Sequence, residues 1–150
     1  MEDRLIENLE LFLKEINKPT TIENINSFLS KDNYDPAIVY AGVDRIVVMF
    51  GDYAYKIPCS DRGLRANNAE YENAKDKDFV AYVEQIGIVN KQEKLTDCYT
   101  HRYHLGIDDL PDETMRNLWQ YKLNNRFQIG KDKNGNWKFF DYEDIKFYEK

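Results

Sequence analysis

Long hydrophobic runs are missing from this sequence. Its uninterrupted apolar stretches, such as residues 37–41 and 46–50, are far shorter than the ~20 apolar residues that a membrane-spanning helix needs. The first residues are acidic and lead into an amphipathic pattern, whereas a secretory signal begins with a basic region and an apolar core. We therefore expect no membrane segment and no signal peptide.

Cysteine, proline and glycine are scarce as well. The 2 Cys, Cys59 and Cys98, lack the spacing of a disulfide framework, which predicts free thiols and a cytoplasmic location. With 4 Pro and 7 Gly among 150 residues, of which 42% are hydrophobic, the composition is that of a folded protein rather than a disordered one. The length predicts a single domain built around one core.

Positive charge is in deficit. Lys and Arg number 21 against 27 Asp and Glu, which gives a formal net charge of −6 at pH 7. Such a surface repels the backbone of a nucleic-acid duplex on average, so we expect no direct binding to duplex nucleic acid. Any phosphate group must be bound by a local cluster of cations.

Residues 1–32 predict two amphipathic helices. Apolar residues recur at helical spacing over residues 4–17, and Pro19 ends that helix. Thr20, followed three residues later by Glu23, has the spacing of a capping box and predicts the start of a short second helix. We expect the two helices to form an N-terminal appendage.

The pattern then changes to that of a small antiparallel sheet, within residues 37–95. β-Branched and aromatic residues alternate with turn dipeptides in this part of the chain, which is typical of short strands. The strands are predicted over residues 37–41, 45–50, 53–57, 79–83 and 88–92, and a helix over about residues 64–76. The predicted fold class is α+β, an antiparallel five-stranded sheet with one packed helix.

Residues 96–150 show a weaker pattern. A short helix is expected over residues 113–121. Strands over residues 126–130 and 137–142 flank a turn that contains Asn134-Gly135, the strongest short-range signal of a β-hairpin. We expect residues 1–150 to form one domain that this helical and hairpin segment completes.

A lysine on the third predicted strand and an acidic residue on the predicted helix are the first candidates for a site. Lys56 can be paired with Glu70 or with Glu72, which lie about 200° apart around a helix, so both cannot face it. Such a pair is either a structural ion pair or part of a functional site, since both settings contain paired charges.

Three strands, a helix and two strands, with these charged residues in place, resemble the smaller lobe of protein kinases. More closely, the chain resembles a group of small, mostly phage-encoded proteins of unassigned activity with a truncated kinase-like fold. The shared motifs are Tyr-Lys-Ile-Pro at residues 55–58, Gly-x-x-Ala-Asn-x-x-Glu at 63–70, Gln-x-Gly at 128–130 and Asp-Tyr at 141–142. The resemblance covers about residues 37–145.

The resemblance implies a nucleotide cleft that holds ATP with Mg²⁺. In kinases the strand lysine contacts the α- and β-phosphates and the helix glutamate holds its ammonium group, roles that would fall to Lys56 and Glu70. By the same resemblance Glu93 lies in the hinge beside adenine. Gln128 lies near the position of the metal-binding asparagine and Asp141 at that of the metal-binding aspartate.

Two departures from the kinase pattern predict that no residue is catalytic. A kinase has its catalytic base five residues before the metal-binding asparagine, and counting back from Gln128 reaches Leu123, which cannot accept a proton. Gly42 is the only glycine in the first strand pair, so the glycine-rich cover over the phosphates is absent too. The chain is therefore closer to a pseudokinase than to an enzyme.

Three functions follow from these features. The first is an inactive kinase-like phage protein that binds and modulates a host macromolecule, with a host protein as the expected partner. The second is a minimal phosphotransferase that uses ATP and Mg²⁺. The third is an acidic inhibitor of a host nucleic-acid-binding or defence enzyme, because the net charge is −6 and acidic residues cluster over residues 108–113.

Cys98, His101 and His104 form a Cys-x-x-His-x-x-His run that resembles half of a zinc site. No fourth ligand is evident nearby in the sequence, so the usual spacing rules favour ordinary histidines over a metal site. We expect no metal site in this segment.

Overall fold

The computed structural model describes residues 2–75, 77–102 and 126–140. In chain order the elements are α1 (Glu2–Lys14), α2 (Ile22–Leu29), β1 (Ile38–Ala41), β2 (Arg45–Phe50), β3 (Tyr53–Pro58), α3 (Asp61–Ala74), β4 (Val83–Ile86), β5 (Val89–Glu93), β6 (Thr96–Arg102), β7 (Arg126–Lys131) and β8 (Trp137–Phe140). The first five strands form an antiparallel sheet in the order β1-β2-β3-β5-β4. Strands β6, β7 and β8 form a second antiparallel sheet. The predicted α+β fold with a five-stranded sheet is confirmed.

The N-terminal helices pack on one face of the five-stranded sheet. Leu9 and Leu13 of α1 and Ile25 of α2 are buried in the same hydrophobic cluster as Val48 and Ile57 of the sheet. The rings of Phe12 and Phe28 stack between the two helices at 4.1 Å. The helices thus supply part of the hydrophobic core, and we call this the core face of the sheet.

The start of α2 differs by one residue from the predicted cap. Thr21, not Thr20, is the N-cap, and its hydroxyl accepts a hydrogen bond from the backbone N–H of Asn24. Thr20 accepts one from the Asn24 side chain instead. Two adjacent threonines can both serve as caps, and the capping-box spacing to Glu23 selected the wrong one.

The fourth strand lies four residues later than predicted, at Val83–Ile86 instead of residues 79–83. The apolar segment at Phe79 and Val80 pairs with the second sheet rather than with β5. The N–H of Ala81 donates to the carbonyl of Phe139, whose own N–H donates to the carbonyl of Phe79. The rings of Phe79 and Phe139 also meet edge to face at 6.1 Å, so apolar packing from the last hairpin diverts this segment.

The second sheet contains one strand that the sequence pattern does not predict. Strand β6, Thr96–Arg102, pairs with β7 of the predicted hairpin. The hairpin itself is confirmed over β7 and β8, and Gly135 adopts a φ of +83° in its turn. The helix predicted over residues 113–121 lies outside the described residues.

Candidate functional site

Lys56 lies in the middle of β3, a strand covered on both sides. In register it faces Val47 of β2 and Asn90 of β5, so these side chains share one face of the sheet. Ala54, two residues earlier, faces Gln92 of β5 on the same side. We call the face that carries Lys56 the site face. It is the face opposite the core face.

Helix α3 covers part of the site face because its first turn is fixed against the turn between β1 and β2. Ser60 caps the helix by accepting a hydrogen bond from the N–H of Gly63, and its hydroxyl donates to the Asp44 carboxylate. A side chain at Gly63 would overlap the carbonyl oxygen of Asp44, so only glycine allows this close approach. The predicted helix began too late, since Ser60 is a preferred N-cap residue.

The helix directs Glu70 at Lys56 and leaves Glu72 outside. The Nζ atom of Lys56 donates to Oε1 of Glu70 at 2.8 Å, and the two residues are only 2% and 1% exposed. Glu72 is largely exposed and pairs with Lys75 at 2.7 Å. Of the two alternatives that the sequence left open, Glu70 is the partner of Lys56.

Arg45 is a second cation at this carboxylate, and sequence reasoning missed it. Its guanidinium donates to Oε2 of Glu70 and, at 3.1 Å, to the side-chain oxygen of Asn67. Arg45 begins β2, opposite Pro58 of β3. No spacing in the sequence signals the contact, because it joins a strand end to a helix face 25 residues later.

The two cations set the ionisation of Glu70. Burial is the largest single influence and works to raise the pKa of this carboxyl group. The charges of Lys56 and Arg45, together with the hydrogen bonds that both donate, outweigh burial and hold the pKa below its ordinary value of 4.5. Glu70 is therefore ionised at neutral pH, and the cluster is an ion-paired group in a buried environment.

Asn67 fixes the helix to the sheet beside this cluster. Its amide nitrogen donates to the carbonyl oxygens of Lys56 at 2.8 Å and Ile88 at 2.9 Å. Asn90 returns a hydrogen bond of 2.8 Å to the carbonyl of Asn67. Gly63, Asn67 and Glu70 fall on one face of the helix, which gives the Gly-x-x-Ala-Asn-x-x-Glu pattern a physical reason.

Glu93 ends β5 and joins the two sheets. Its carboxylate accepts hydrogen bonds from the N–H of Tyr82 at 2.6 Å and from Nζ of Lys138 on β8 at 2.9 Å. Its backbone N–H donates to the carbonyl of Tyr82, and that of Lys94 donates to the carbonyl of Asp52. The role of Glu93 beside a nucleotide base stays a prediction.

The other predicted site residues are placed only in part. Gln128 lies on β7, paired in register with Phe140, and Asp141 lies outside the described residues. Cys98 is exposed on β6, whose backbone also carries His101, while His104 and the acidic residues over 108–113 lie outside the described part. The structure thus brings Lys56 and Glu70 together, and the roles of the other predicted site residues stay predictions.

The described residues contain neither a metal-binding cluster nor a membrane-spanning helix. Within residues 2–75, 77–102 and 126–140 there is no group of three or more His, Cys, Asp or Glu side chains that could hold a metal ion. No helix in this part of the chain has the length and apolar character needed to cross a membrane. Comparisons with protein-family models, with curated proteins and with solved structures found no match to this chain.

Proposed function

We propose that this chain is an inactive kinase-like protein that acts by binding a macromolecule, with a host protein as partner if the chain is phage-encoded. The observation that carries the proposal is the buried contact of Lys56 with Glu70, built from the third strand and the following helix of a five-stranded sheet. In protein kinases this pair positions ATP. A buried ion pair is costly to desolvate, so stability alone is a weak reason to keep one.

The proposal excludes phosphoryl transfer because the chain lacks the base that a kinase uses. Leu123 occupies the position five residues before Gln128, and an aliphatic side chain cannot accept the proton of an acceptor hydroxyl. A kinase-like arrangement that keeps the lysine and the glutamate but has no base supports a binding function rather than a catalytic one.

Exposed apolar side chains on β1 provide the surface for a partner. Ile38 is 50% and Tyr40 56% exposed, and the two residues share one side of a strand that pairs only with β2 among the described strands. Large apolar side chains on an edge strand favour protein contacts. The proposed contact is therefore apolar and does not depend on the overall negative charge.

Two assays test this function. Purified protein with radiolabelled ATP and Mg²⁺ should transfer no phosphate to itself or to general acceptor proteins. Transfer that disappears in Lys56→Met would overturn the proposal in favour of a minimal phosphotransferase.

The second assay is affinity capture of partners from cells of the source. We expect a partner that stays bound as salt rises, because an apolar contact is not screened. The double variant Ile38→Ser and Tyr40→Ser should lose it, whereas Leu11→Ser, which alters a 63% exposed leucine on α1, should retain it. If the partner is released as salt rises and is still captured by the β1 double variant, the proposal is contradicted and the acidic-inhibitor function is supported.

A further inference from the structure

Strand β4 forms one edge of the five-stranded sheet. It pairs with β5 on one side, and no other described strand lies on its other side. The N–H of Glu93 donates to the carbonyl of Tyr82, which makes these two residues a hydrogen-bonded pair at the start of β4. Because such pairs alternate with non-hydrogen-bonded ones along an antiparallel ladder, the backbone N–H and C=O of Gln85 point away from β5. Gln85 therefore presents a donor and an acceptor at the edge of the sheet.

A hollow lies on each face of the sheet beside this edge, and Gln85 lines both. The core-face hollow, of about 470 Å³, lies between α1 and the end of β4, and its lining includes Leu11 and Ile86. The site-face hollow, of about 950 Å³, lies between the C-terminal part of α3 and β4, and its lining includes Tyr71 and Val83. The edge is therefore flanked by space for side chains on both faces.

An added strand fits these features because its side chains alternate between the two faces of the sheet. A residue opposite Gln85 directs its side chain to the site-face hollow. Its two neighbours direct theirs to the core face, opposite Glu84 and Ile86. Leu11, which lines the core-face hollow, is 63% exposed, so an apolar side chain there removes apolar surface from water. The main-chain groups of the added strand bond to those of Gln85.

The charge at the edge favours a basic residue in the added strand. Glu84 is exposed, and none of the ion pairs among the described residues includes it. Lys91, which faces it in the register of β4 and β5, is paired with Glu10 at 2.8 Å. Lys75 and Lys138, which line the site-face hollow, are paired with carboxylates as well. A lysine or arginine opposite Glu84 therefore gains a cross-strand ion pair that this chain does not supply.

We propose that β4 binds an extended segment of a partner protein, which adds a strand to the sheet. The segment has a lysine or arginine opposite Glu84 and, two positions away, an apolar side chain opposite Ile86. A second copy of this chain does not fit through the same edge, because β4 contains no basic residue. A charged edge strand often serves only to prevent aggregation, but the two hollows give this one room for the side chains of a partner. The proposal concerns the edge opposite β1 and does not depend on the kinase-like arrangement.

The test selects short peptides from a random displayed library on the immobilised full chain. We expect the selected peptides to share a lysine or arginine two positions from an apolar residue. Glu84→Lys should weaken their binding roughly tenfold, because it opposes like charges. Peptides with glutamate in place of the basic residue should bind this variant more tightly than they bind the wild type.

The matched control is Glu23→Lys, which changes the net charge equally at an exposed position on α2 and should leave these affinities as they are in the wild type. A selection that yields no peptide would overturn the proposal. Selected peptides that lack the pattern, or whose affinity is unchanged in Glu84→Lys, would overturn it too.

Amide hydrogen exchange locates the bound peptide. In the free protein the N–H of Gln85 should exchange faster than those of Glu84 and Ile86, which are directed at β5. The selected peptide should slow exchange at Gln85. Unchanged exchange there at saturating peptide would overturn the proposal. Exchange at Gln85 that slows as protein concentration rises without peptide would overturn it in favour of a second copy.

The two proposals fail separately. If no peptide binds at β4, the strand addition is wrong, while a partner captured through β1 still supports the proposed function. If phosphate is transferred from ATP, the proposed function is wrong, while slowed exchange at Gln85 still supports strand addition.

Discussion

Glu70 is the residue on which the arrangement of charges depends. It accepts hydrogen bonds from Lys56 and Arg45, and all three side chains lie largely out of solvent. Removing one partner of a buried ion pair leaves a charge without compensation, which costs far more than losing an exposed pair. The effect of a substitution here therefore depends on how many charges it leaves behind.

We predict that Glu70→Gln destabilises the protein by about 3–5 kcal/mol, because the neutral amide removes the carboxylate from both Lys56 and Arg45. Lys56→Met should cost less, since Arg45 still contacts Glu70. The matched control is Glu72→Gln, which alters an exposed carboxylate paired with Lys75 and should cost at most about 0.5 kcal/mol. Urea denaturation measures the free energy of unfolding of each of the three variants. Similar losses for Glu70→Gln and Glu72→Gln would contradict the placement of Glu70 at the centre of the cluster.

The lowered pKa of Glu70 also predicts how stability depends on pH. The unfolded chain binds a proton at this carboxyl group near its ordinary value of 4.5, whereas the folded chain binds it only at lower pH. The stabilisation is thus complete above that value and is lost as pH falls through the lowered pKa of the folded state. In thermal melts between pH 7 and pH 3, the gap in melting temperature between the wild type and Glu70→Gln should narrow toward low pH. A constant gap would show that ionisation of Glu70 does not contribute.

At the scale of elements, the attachment of α3 to the turn between β1 and β2 determines where Glu70 lies. Ser60 and Gly63 contact Asp44, and Asn67 then bonds the helix to β3. A small rotation or shift of the helix would move Glu70 away from Lys56. The helix is therefore positioned by close backbone contact at one end and by side-chain hydrogen bonds at its middle.

The substitution Gly63→Ala distinguishes the effect of this close packing on stability from the effect of helix propensity. Propensity alone predicts that alanine stabilises a helix by about 1 kcal/mol relative to glycine. The overlap with the Asp44 carbonyl predicts that alanine destabilises the protein instead. We expect the free energy of unfolding to fall by roughly 2–3 kcal/mol, because the backbone has to move to relieve the overlap. Chemical denaturation gives the sign directly.

The control for this prediction is Ala69→Gly, at an exposed position of the same helix. It should lose about 1 kcal/mol through propensity alone. A stabilised Gly63→Ala variant would mean that α3 does not approach the turn as closely as the structure shows.

Elements with local signals could be predicted, and elements that depend on distant partners could not. The hydrophobic patterns predicted β1, β2, β3 and the hairpin within a residue or two, because each has its neighbour close in sequence. Strand β6 pairs with β7 about 30 residues later, and the segment at Phe79 pairs with β8, so no nearby residue indicates either. The pairing of Lys56 with Glu70 could be anticipated from strand and helix order. The contribution of Arg45 could not, because it depends on the angle between helix and sheet.

At the scale of the whole molecule, the two faces of the five-stranded sheet are used differently. On the core face, α1 is attached by Glu10, whose carboxylate accepts a hydrogen bond from Tyr55 at 2.7 Å and contacts Nζ of Lys91 at 2.8 Å. On the site face, α3 covers the half around Lys56 and Asn90. The N-terminal helices therefore contact the core face, whereas α3 contacts the site face.

The two sheets are joined through Lys138, which lies on β8 and contacts Glu93 of β5 at 2.9 Å and Asp132 of its own hairpin at 3.2 Å. The Lys138 side chain is 17% exposed, so its ion pairs are neither fully exposed nor fully buried. Replacing Lys138 by methionine leaves two carboxylates with fewer donors, and we expect a loss of about 1–2 kcal/mol. Asp132 keeps the N–H groups of Asn134 and Asn136, so the hairpin turn itself should persist.

Hydrogen exchange of Lys138→Met distinguishes a joint between sheets from a general contribution to stability. If Lys138 holds the second sheet against the first, amides of β7 and β8 should lose protection while those of β2 and β3 keep it, because the second sheet then opens locally. Lys133→Met, in the exposed part of the same hairpin turn, should leave both sheets as they are in the wild type. Equal loss of protection in both sheets would show that they unfold as one unit and that the contact of Lys138 with Glu93 does not limit their separation.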